Sequence, residues 1–461
     1  MAGRDTGENE RHSTTINSLT DNVLLDIFDF YRHSHGDTLW EWHVLVHVCR
    51  RWRRIIFESP RRLDLKIRCT TKTPVRKDLG IWPGFPIAID FYLSSIDSIP
   101  SDAISALEHT DRVGYLKLDL TESQLEMLAT MASKPFPMIT HLFINVDSVH
   151  APLLHDNFLG GSAPHLQTID LRNIVFPALQ RLLLSASDLV ELQLRRISPA
   201  SYISPVEMAM SLAELPRLKT LVLRFQLAFF PVDPIRPPPA TRTVLPALTT
   251  FEFAGTSVYL EDFVAQIDCP RLSQVGIAYQ SWAADFQLAQ LSGFFNLPIY
   301  PFRHAKAHVN FHGFAFDLYP TNRTGCDSHP ATTVISFQQI GRHIFPTLNE
   351  FSVLLSTVIV LKLVGKSWAS DEYNLKWLHF LRQLSSLQAL CVSPPLAEKV
   401  GYALKSVKGE MVAEALPSLD LICIEDQISS IEEFVAVRQL SDRPLTVVGT
   451  EAEFDQRLSG K

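Results

Sequence analysis

Four stretches decide the reading of this chain: APHLQTIDL (163–171), LPRLKTLVL (215–223), LPALTTFEF (245–253) and LPSLDLICI (416–424). Each sets an apolar residue, a second three positions on and a third two further, as in Leu166/Ile169/Leu171 and Leu218/Leu221/Leu223. The template also fits Val113/Leu116/Leu118, Ile139/Leu142/Ile144, Leu189/Leu192/Leu194, Leu272/Val275/Ile277, Val358/Leu361/Leu363 and Leu387/Leu390/Val392. Side chains alternate along a strand, so the second and third residues share one face. Intervening polar residues such as Lys117, Lys219 and Glu252 point the other way. One such strand cannot bury its face alone, whereas parallel neighbours make a continuous core. From Val113 to Leu272 the steps are 26, 27, 23, 29, 30 and 24 residues. Helix-like segments at 121–133, 176–187 and 205–215 fall between the strands.

Composition agrees with a long apolar stack. Of 461 residues 61 are Leu, only 19 are Gly and 29 are Pro, which argues against Gly-rich phosphate loops and for repeated punctuation. The net charge of −7 argues against a wholesale nucleic-acid binder. The six cysteines lie far apart without a C-x-x-C pair, as in reduced intracellular thiols. The first fifteen residues are polar and read as disordered, and no run of 18 apolar residues suggests a membrane span. A cytoplasmic or nuclear protein is expected, in which the Asn322-Arg-Thr324 sequon stays unused.

The strand pattern resembles leucine-rich repeats. The Asn or Cys that usually follows the strand is missing, Thr121, Asp147, Ile174, Ile197 and Gln226 standing there instead, so an irregular solenoid with a curved parallel sheet is expected. LDLKIRC (63–69) and PIAIDFYL (86–93) begin the sheet. The array is interrupted between 278 and 357, and PIRPPPATRT (234–243) is a separate loop. HVNFHGFAFDLY (308–319) alternates like an outer strand and TTVISFQQI (332–340) could pair with it, so 300–345 reads as an excursion from the repeat. Leu348/Phe351/Val353 also fits the template, yet lies too close to Val358 for both to be strands.

Residues 16–60 differ. Thr20 or Asp21 caps a first amphipathic helix carrying Val23, Leu24, Ile27, Phe28 and Tyr31. Trp42, Leu45, Val48, Cys49, Trp52, Ile55 and Ile56 recur along a second, with Arg50, Arg51, Arg53 and Arg54 opposite. LTDNVLLDIF followed by Val48-Cys-Arg-Arg-Trp52 resembles an F-box, with Leu19-Thr20 where the family has Leu-Pro. SPRRLDLKIRCTTKTPVRKDLGIWPGFPIAIDF and EEFVAVRQLSDRPLTV are similar to the large F-box families of mushroom-forming fungi. The whole is thus expected to be α/β: an all-helical F-box over 16–60, then a leucine-rich-repeat-like solenoid over 61–461.

The resemblance implies a non-catalytic receptor subunit of a ubiquitin ligase. The F-box would dock on a Skp-type adaptor, and through it a cullin-RING ligase, while the repeats hold an unknown target protein. Carried over, the adaptor set is Leu19, Thr20, Val23, Leu24, Ile27, Phe28, Leu45, Val48, Cys49 and Trp52, some of which must instead pack the small core. Target-binding candidates are aromatic or charged residues in the interruptions: Phe229, Phe230, Trp282, Tyr300, Phe302, Arg303 and Trp368. The alternatives are a leucine-rich scaffold without a ubiquitination role and an enzyme with an unrecognised site.

Other constellations carry less. Residues 50–77 hold eleven Lys or Arg against Glu58 and Asp64, most simply a solvated face. His33, His35, His43, His47 and Cys49 do not share one helix face, so no metal is expected. No cofactor is expected, and LGGSAP (159–164) lacks the strand-then-helix context of a nucleophile elbow.

Overall fold

The computed structural model describes residues 16–34, 42–60, 62–63, 65–71, 79–80, 84–92, 100–226, 241–279, 290, 303–310, 313–319, 334–340, 355–365, 374–405, 416–424, 431–440 and 443–459. The fold is mixed α/β around one large, mostly parallel sheet. Its first strands are β1 (Ile67–Thr70), β2 (Ile87–Tyr92), β3 (Val113–Leu120), β4 (His141–Val146), β5 (Thr168–Arg172), β6 (Glu191–Ile197) and β7 (Thr220–Phe225). A short parallel pair, β8 (Thr243–Val244) with β10 (Ile267–Asp268), stands apart from it. The sheet continues through β9 (Thr250–Gly255), β11 (Gln274–Tyr279), β12 (His304–Asn310), β13 (Gly313–Tyr319) and β14 (Val334–Ile340). It ends in β15 (Val360–Gly365), β16 (Ala389–Val392), β17 (Leu421–Ile424) and β18 (Thr446–Val448).

The template residues sit in register. Leu116, Leu142, Ile169, Leu192, Leu221, Phe251 and Val275 face one another across successive strands, and Leu118 through Ile277 form a second row. Nearly all are fully buried. From Ile139 onward the leading apolar residue of each template closes a turn: Leu218 N donates to Leu215 O at 3.2 Å and Leu419 N to Leu416 O at 3.1 Å. Neighbouring turns are bonded in a ladder, Lys219 N to Val190 O at 2.8 Å and Thr249 N to Lys219 O at 2.9 Å, which satisfies backbone groups the turn would otherwise bury unpaired. Helices such as Glu122–Met131, Pro205–Ala213 and Pro394–Lys405 cover the apolar rows, their buried Leu125, Leu212 and Val400 joining the same core. The start of Pro205–Ala213 is fixed by Ser204, whose Oγ accepts from Glu207 N at 3.3 Å while the Glu207 carboxylate accepts from Ser204 N at 3.2 Å.

Asn173 stands one place before the position where Ile174 departs from the repeat pattern. It is fully buried with a left-handed φ of 57°. Its Nδ2 donates to Val146 O at 2.9 Å and Ser148 O at 2.8 Å, and its Oδ1 accepts from Gln226 Nε2 at 2.9 Å. One side chain at the end of β5 thus ties to it the ends of β4 and β7.

Segment 300–345 reorders the sheet rather than leaving it. The order runs β9-β11-β14-β13-β12-β15, with β13 antiparallel to both neighbours and all other pairs parallel. The expected outer strand 308–319 is two strands, β12 and β13, so the predicted pairing with 332–340 involves only the second of them. Ala305, Leu318 and Leu361 extend the buried row, which is why the interruption remains inside the core. Leu348/Phe351/Val353 and residues 1–15 lie outside the described residues.

At the N-terminus three helices form: α1 (Asp21–Ser34), α2 (Trp42–Val46) and α3 (Arg50–Glu58). The second helix expected from periodicity is broken. Cys49 is extended (φ −155°) and its Sγ accepts from Trp52 N at 3.5 Å, so it caps α3 instead of continuing α2. The helical core (Leu24, Phe28, Ile56) is continuous with that of the sheet, where Phe57 meets Phe85 at 5.7 Å between ring centroids.

Candidate protein-binding surfaces

Helix α1 is apolar on two sides. Leu24, Leu25 and Phe28 are buried, Phe28 meeting the Trp52 ring edge-on at 4.8 Å. Val23, Ile27 and Phe30, spaced as i, i+4 and i+7, form a second stripe that is 42%, 42% and 76% exposed. Val44 and Val48 are likewise open. Thr20 lies exposed at the head of the stripe, where its Oγ1 accepts from Val23 N at 3.5 Å and its carbonyl from Leu24 N. Arg51 fixes this corner, donating to Leu19 O and to the Asp21 carboxylate, both at 2.6 Å.

The structure therefore divides the ten predicted adaptor residues. Thr20, Val23, Ile27 and Val48 face solvent. Leu19, Cys49 and Trp52 are half-buried, while Leu24, Phe28 and Leu45 belong to the internal core and are unavailable to a partner. Phe30 and Val44 share this exposure, and the one amphipathic stripe expected of each helix does not include them. For Phe30 the signal is the i+7 continuation of Val23 and Ile27 beyond the residues that the core uses; nothing comparable marks Val44.

Among the seven predicted target-binding residues, Phe229, Phe230, Trp282, Tyr300, Phe302 and Trp368 lie outside the described residues. Arg303 is exposed, and its carbonyl accepts from Ile359 N at 2.8 Å at the start of β15.

A second surface is the sheet face opposite the helices. The positions alternating with the core rows turn to that face: Lys117, Phe143, Asp170, Gln193, Val222 and Glu252 in one row, of which Asp170 and Val222 are buried, and Asp119, Asn145, Arg172, Arg195 and Arg224 beside it. Tyr115 and Phe143 rings lie 5.5 Å apart, with His141 5.7 Å from Tyr115. Lys117 Nζ donates to Tyr92 Oη at 2.9 Å, and that bond, against the opposing effect of burial, raises its ammonium above the usual range. Asp170, almost fully buried, accepts from Arg172 Nη2 at 2.7 Å.

At the other end the same face is closed. Val360, Ala389, Cys391, Leu421, Cys423 and Val448 are apolar and buried beneath Phe454 of the C-terminal helix Glu451–Ser459. Lys362 Nζ clasps that helix, 2.8 Å from Glu451 Oε1 and 2.7 Å from Asp455 Oδ1.

Enclosed space is small. The apolar cavity lined by Leu171, Phe176, Leu194 and Tyr259 holds about 40 Å³, whereas an open cleft lined by Ala129, Ser133, Leu153, His155 and Asn157 holds about 520 Å³, within the roughly 300–1,000 Å³ of small-molecule sites. Among the described residues no group of three or more His, Cys, Asp or Glu is placed to hold a metal ion, and no helix is long and apolar enough to cross a membrane. Comparison with protein-family models finds no match to this chain, and comparison with curated proteins finds none either.

Proposed function

We propose that the chain is an F-box protein whose parallel sheet and helices form an irregular leucine-rich-repeat-like solenoid. It serves as the substrate-recognition subunit of a Skp-cullin-F-box type ubiquitin ligase. The observation that carries this reading is the second apolar stripe of α1. A soluble helix leaves few adjacent apolar side chains open unless a partner covers them, and a helix laid into a partner groove uses i, i+4 and i+7 anchors. Val23, Ile27 and Phe30 have that spacing, and the Val48–Trp52 motif that suggested the family leads into α3. The repeat reading is supported by the in-register rows and the ladder of bonded turns. In this role the protein breaks no bonds; it raises the concentration of target lysines near a charged conjugating enzyme.

Co-purification of the full chain with a Skp-type adaptor tests the reading. Ile27→Asp should weaken the complex by about 2–3 kcal/mol, roughly 30–150-fold, while Met210→Asp, at an exposed apolar position elsewhere, should not. Wild-type protein that retains no adaptor sinks the proposal. Trp52→Ala is the poorer probe, because Trp52 also packs on Phe28.

A further inference from the structure

Arg172, Arg195 and Arg224 stand directly opposite one another on β5, β6 and β7. Adjacent strands lie about 4.8 Å apart, so three arginines start within about 10 Å. Like charges in that arrangement destabilise a sheet, and the compensation here is incomplete. Asp170 accepts from Arg172 Nη2 and Glu252 Oε2 from Arg224 Nη2, each at 2.7 Å. Arg195, between them, bonds the neutral Gln193 amide through Nε at 2.9 Å and has Asp170 only at 3.9 Å. Burial, with the nearby Arg172 and Arg224 and against the opposing pull of Asp170 and Glu252, pushes its guanidinium below the usual range. Among the described residues the Nη1 of all three makes no hydrogen bond.

Two further observations bear on this row. A bulge between Arg195 and Ile197 holds Arg196 exposed in the left-handed region at φ 54°, a strained conformation for a side chain of that size. The same sheet face also already carries an acidic helix. Glu451 and Asp455, one turn apart, clasp Lys362 while Phe454 fills the apolar floor.

We propose that the open face over β4–β7 binds an acidic amphipathic helix of the target, its carboxylates bridging Arg172, Arg195 and Arg224 and an apolar side chain resting on the Tyr115 and Phe143 rings. Acidic residues at i and i+4 are about 5–6 Å apart, close to the strand spacing. Phe143 lies opposite Asp170, one strand from the arginine row. This assignment rests on the receptor reading for the word target, and it names the chemistry of that target.

The test uses the full chain and a fluorescein-labelled, alanine-based helical peptide of about 18 residues carrying the Glu-Ala-Glu-Phe-Asp spacing of residues 451–455. Anisotropy should show saturable binding that weakens with salt. A copy with every acid changed to Gln should bind at least about tenfold more weakly. Arg195→Gln should lose about tenfold and Arg224→Gln somewhat less, neither with a lowered melting temperature, while Arg54→Gln on the helical unit leaves affinity unaltered. Ile27→Asp should also leave peptide affinity intact, so loss of peptide binding with adaptor binding retained overturns this proposal alone. Equal affinity for the Gln copy, undiminished binding by Arg195→Gln, or tighter binding of a proline-interrupted acidic or phosphoserine peptide would each refute it.

Discussion

The two ends of one sheet face differ in a way the strand sequences explain. Around β3 and β4 the residues alternate strictly, buried with half-buried, so one side packs on helices and the other carries Lys117, Asp119, Phe143 and Asn145 into the open. In β16 (ALCV) and β17 (LICI) every residue is buried. Strands that are apolar on both faces must be covered on both, and the C-terminal helix supplies the second cover. One architecture thus has a sealed end and a stretch around β3 and β4 that is half-open on the same face, with β5 and β7 between these extremes.

The largest expected effect breaks the seal. Phe454 is fully buried between helix and sheet, so Phe454→Ala should cost about 3–5 kcal/mol in chemical denaturation. Phe143→Ala, at the half-buried counterpart position of the open face, should cost less than about 1.5 kcal/mol. Equal losses would mean that the two ends are energetically alike and that the middle is core as well.

This contrast also marks what the sequence made legible. The template positions Leu166/Ile169/Leu171 and their equivalents identify the strands, because period-two alternation and the preceding turn are local properties. The runs at 389–392 and 421–424 announce two-sided burial, yet nothing local says that residues 451–459 fold back to cover them. The β14-β13-β12 order is similarly remote: 308–319 reads as one strand where there are two, and a strand's neighbour depends on how the chain crosses between strands. For the helical unit, most apolar positions of α1 are legible from periodicity, Leu25 and Phe30 excepted, whereas their division between core and surface required the packing of Trp52 on Phe28. The Cys49 break escaped periodicity because Cys is apolar by composition and a cap by geometry.

Asn173 gives the next effect in size. Asn173→Ala strands the Val146 and Ser148 carbonyls and places a Cβ-bearing residue without a local hydrogen bond at φ 57°, and should cost about 2–3 kcal/mol. Asn173→Gly relieves the backbone while still losing both bonds, so it should recover about 1 kcal/mol of that. If the two substitutions cost the same, the left-handed backbone contributes nothing there.

The clasp on the sealed end should depend on pH. The hydrogen bond from Lys362 holds the Glu451 carboxyl below its usual range. A depressed acid stabilises the fold above its unfolded value and loses that contribution as pH falls through the folded one. Burial lowers the Lys362 ammonium, but its bonds to Asp455 and Glu451 outweigh this and raise it, so its contribution persists to above pH 10.5. Both partners are partly exposed, which limits the clasp to about 1 kcal/mol. Hydrogen exchange over 451–459 should therefore quicken several-fold between pH 7 and pH 4 after correction for intrinsic rates, and Lys362→Met should abolish that extra dependence.

The smallest effect bears most directly on the open face. Asn173 and Arg196 occupy the same place in consecutive repeats, and both are left-handed. Asn tolerates that region and turns inward to bond three neighbours, whereas Arg196 is strained and turned to solvent. Arg196→Gly should stabilise the protein by about 0.5–1 kcal/mol, because relief of strain outweighs the added freedom of the unfolded chain. If the arginine row recruits an acidic helix, the same substitution should weaken peptide binding two- to fivefold. A rise in melting temperature with lower affinity would show stability given up for recognition. A rise with unchanged affinity would leave Arg172, Arg195 and Arg224 as the whole of the site.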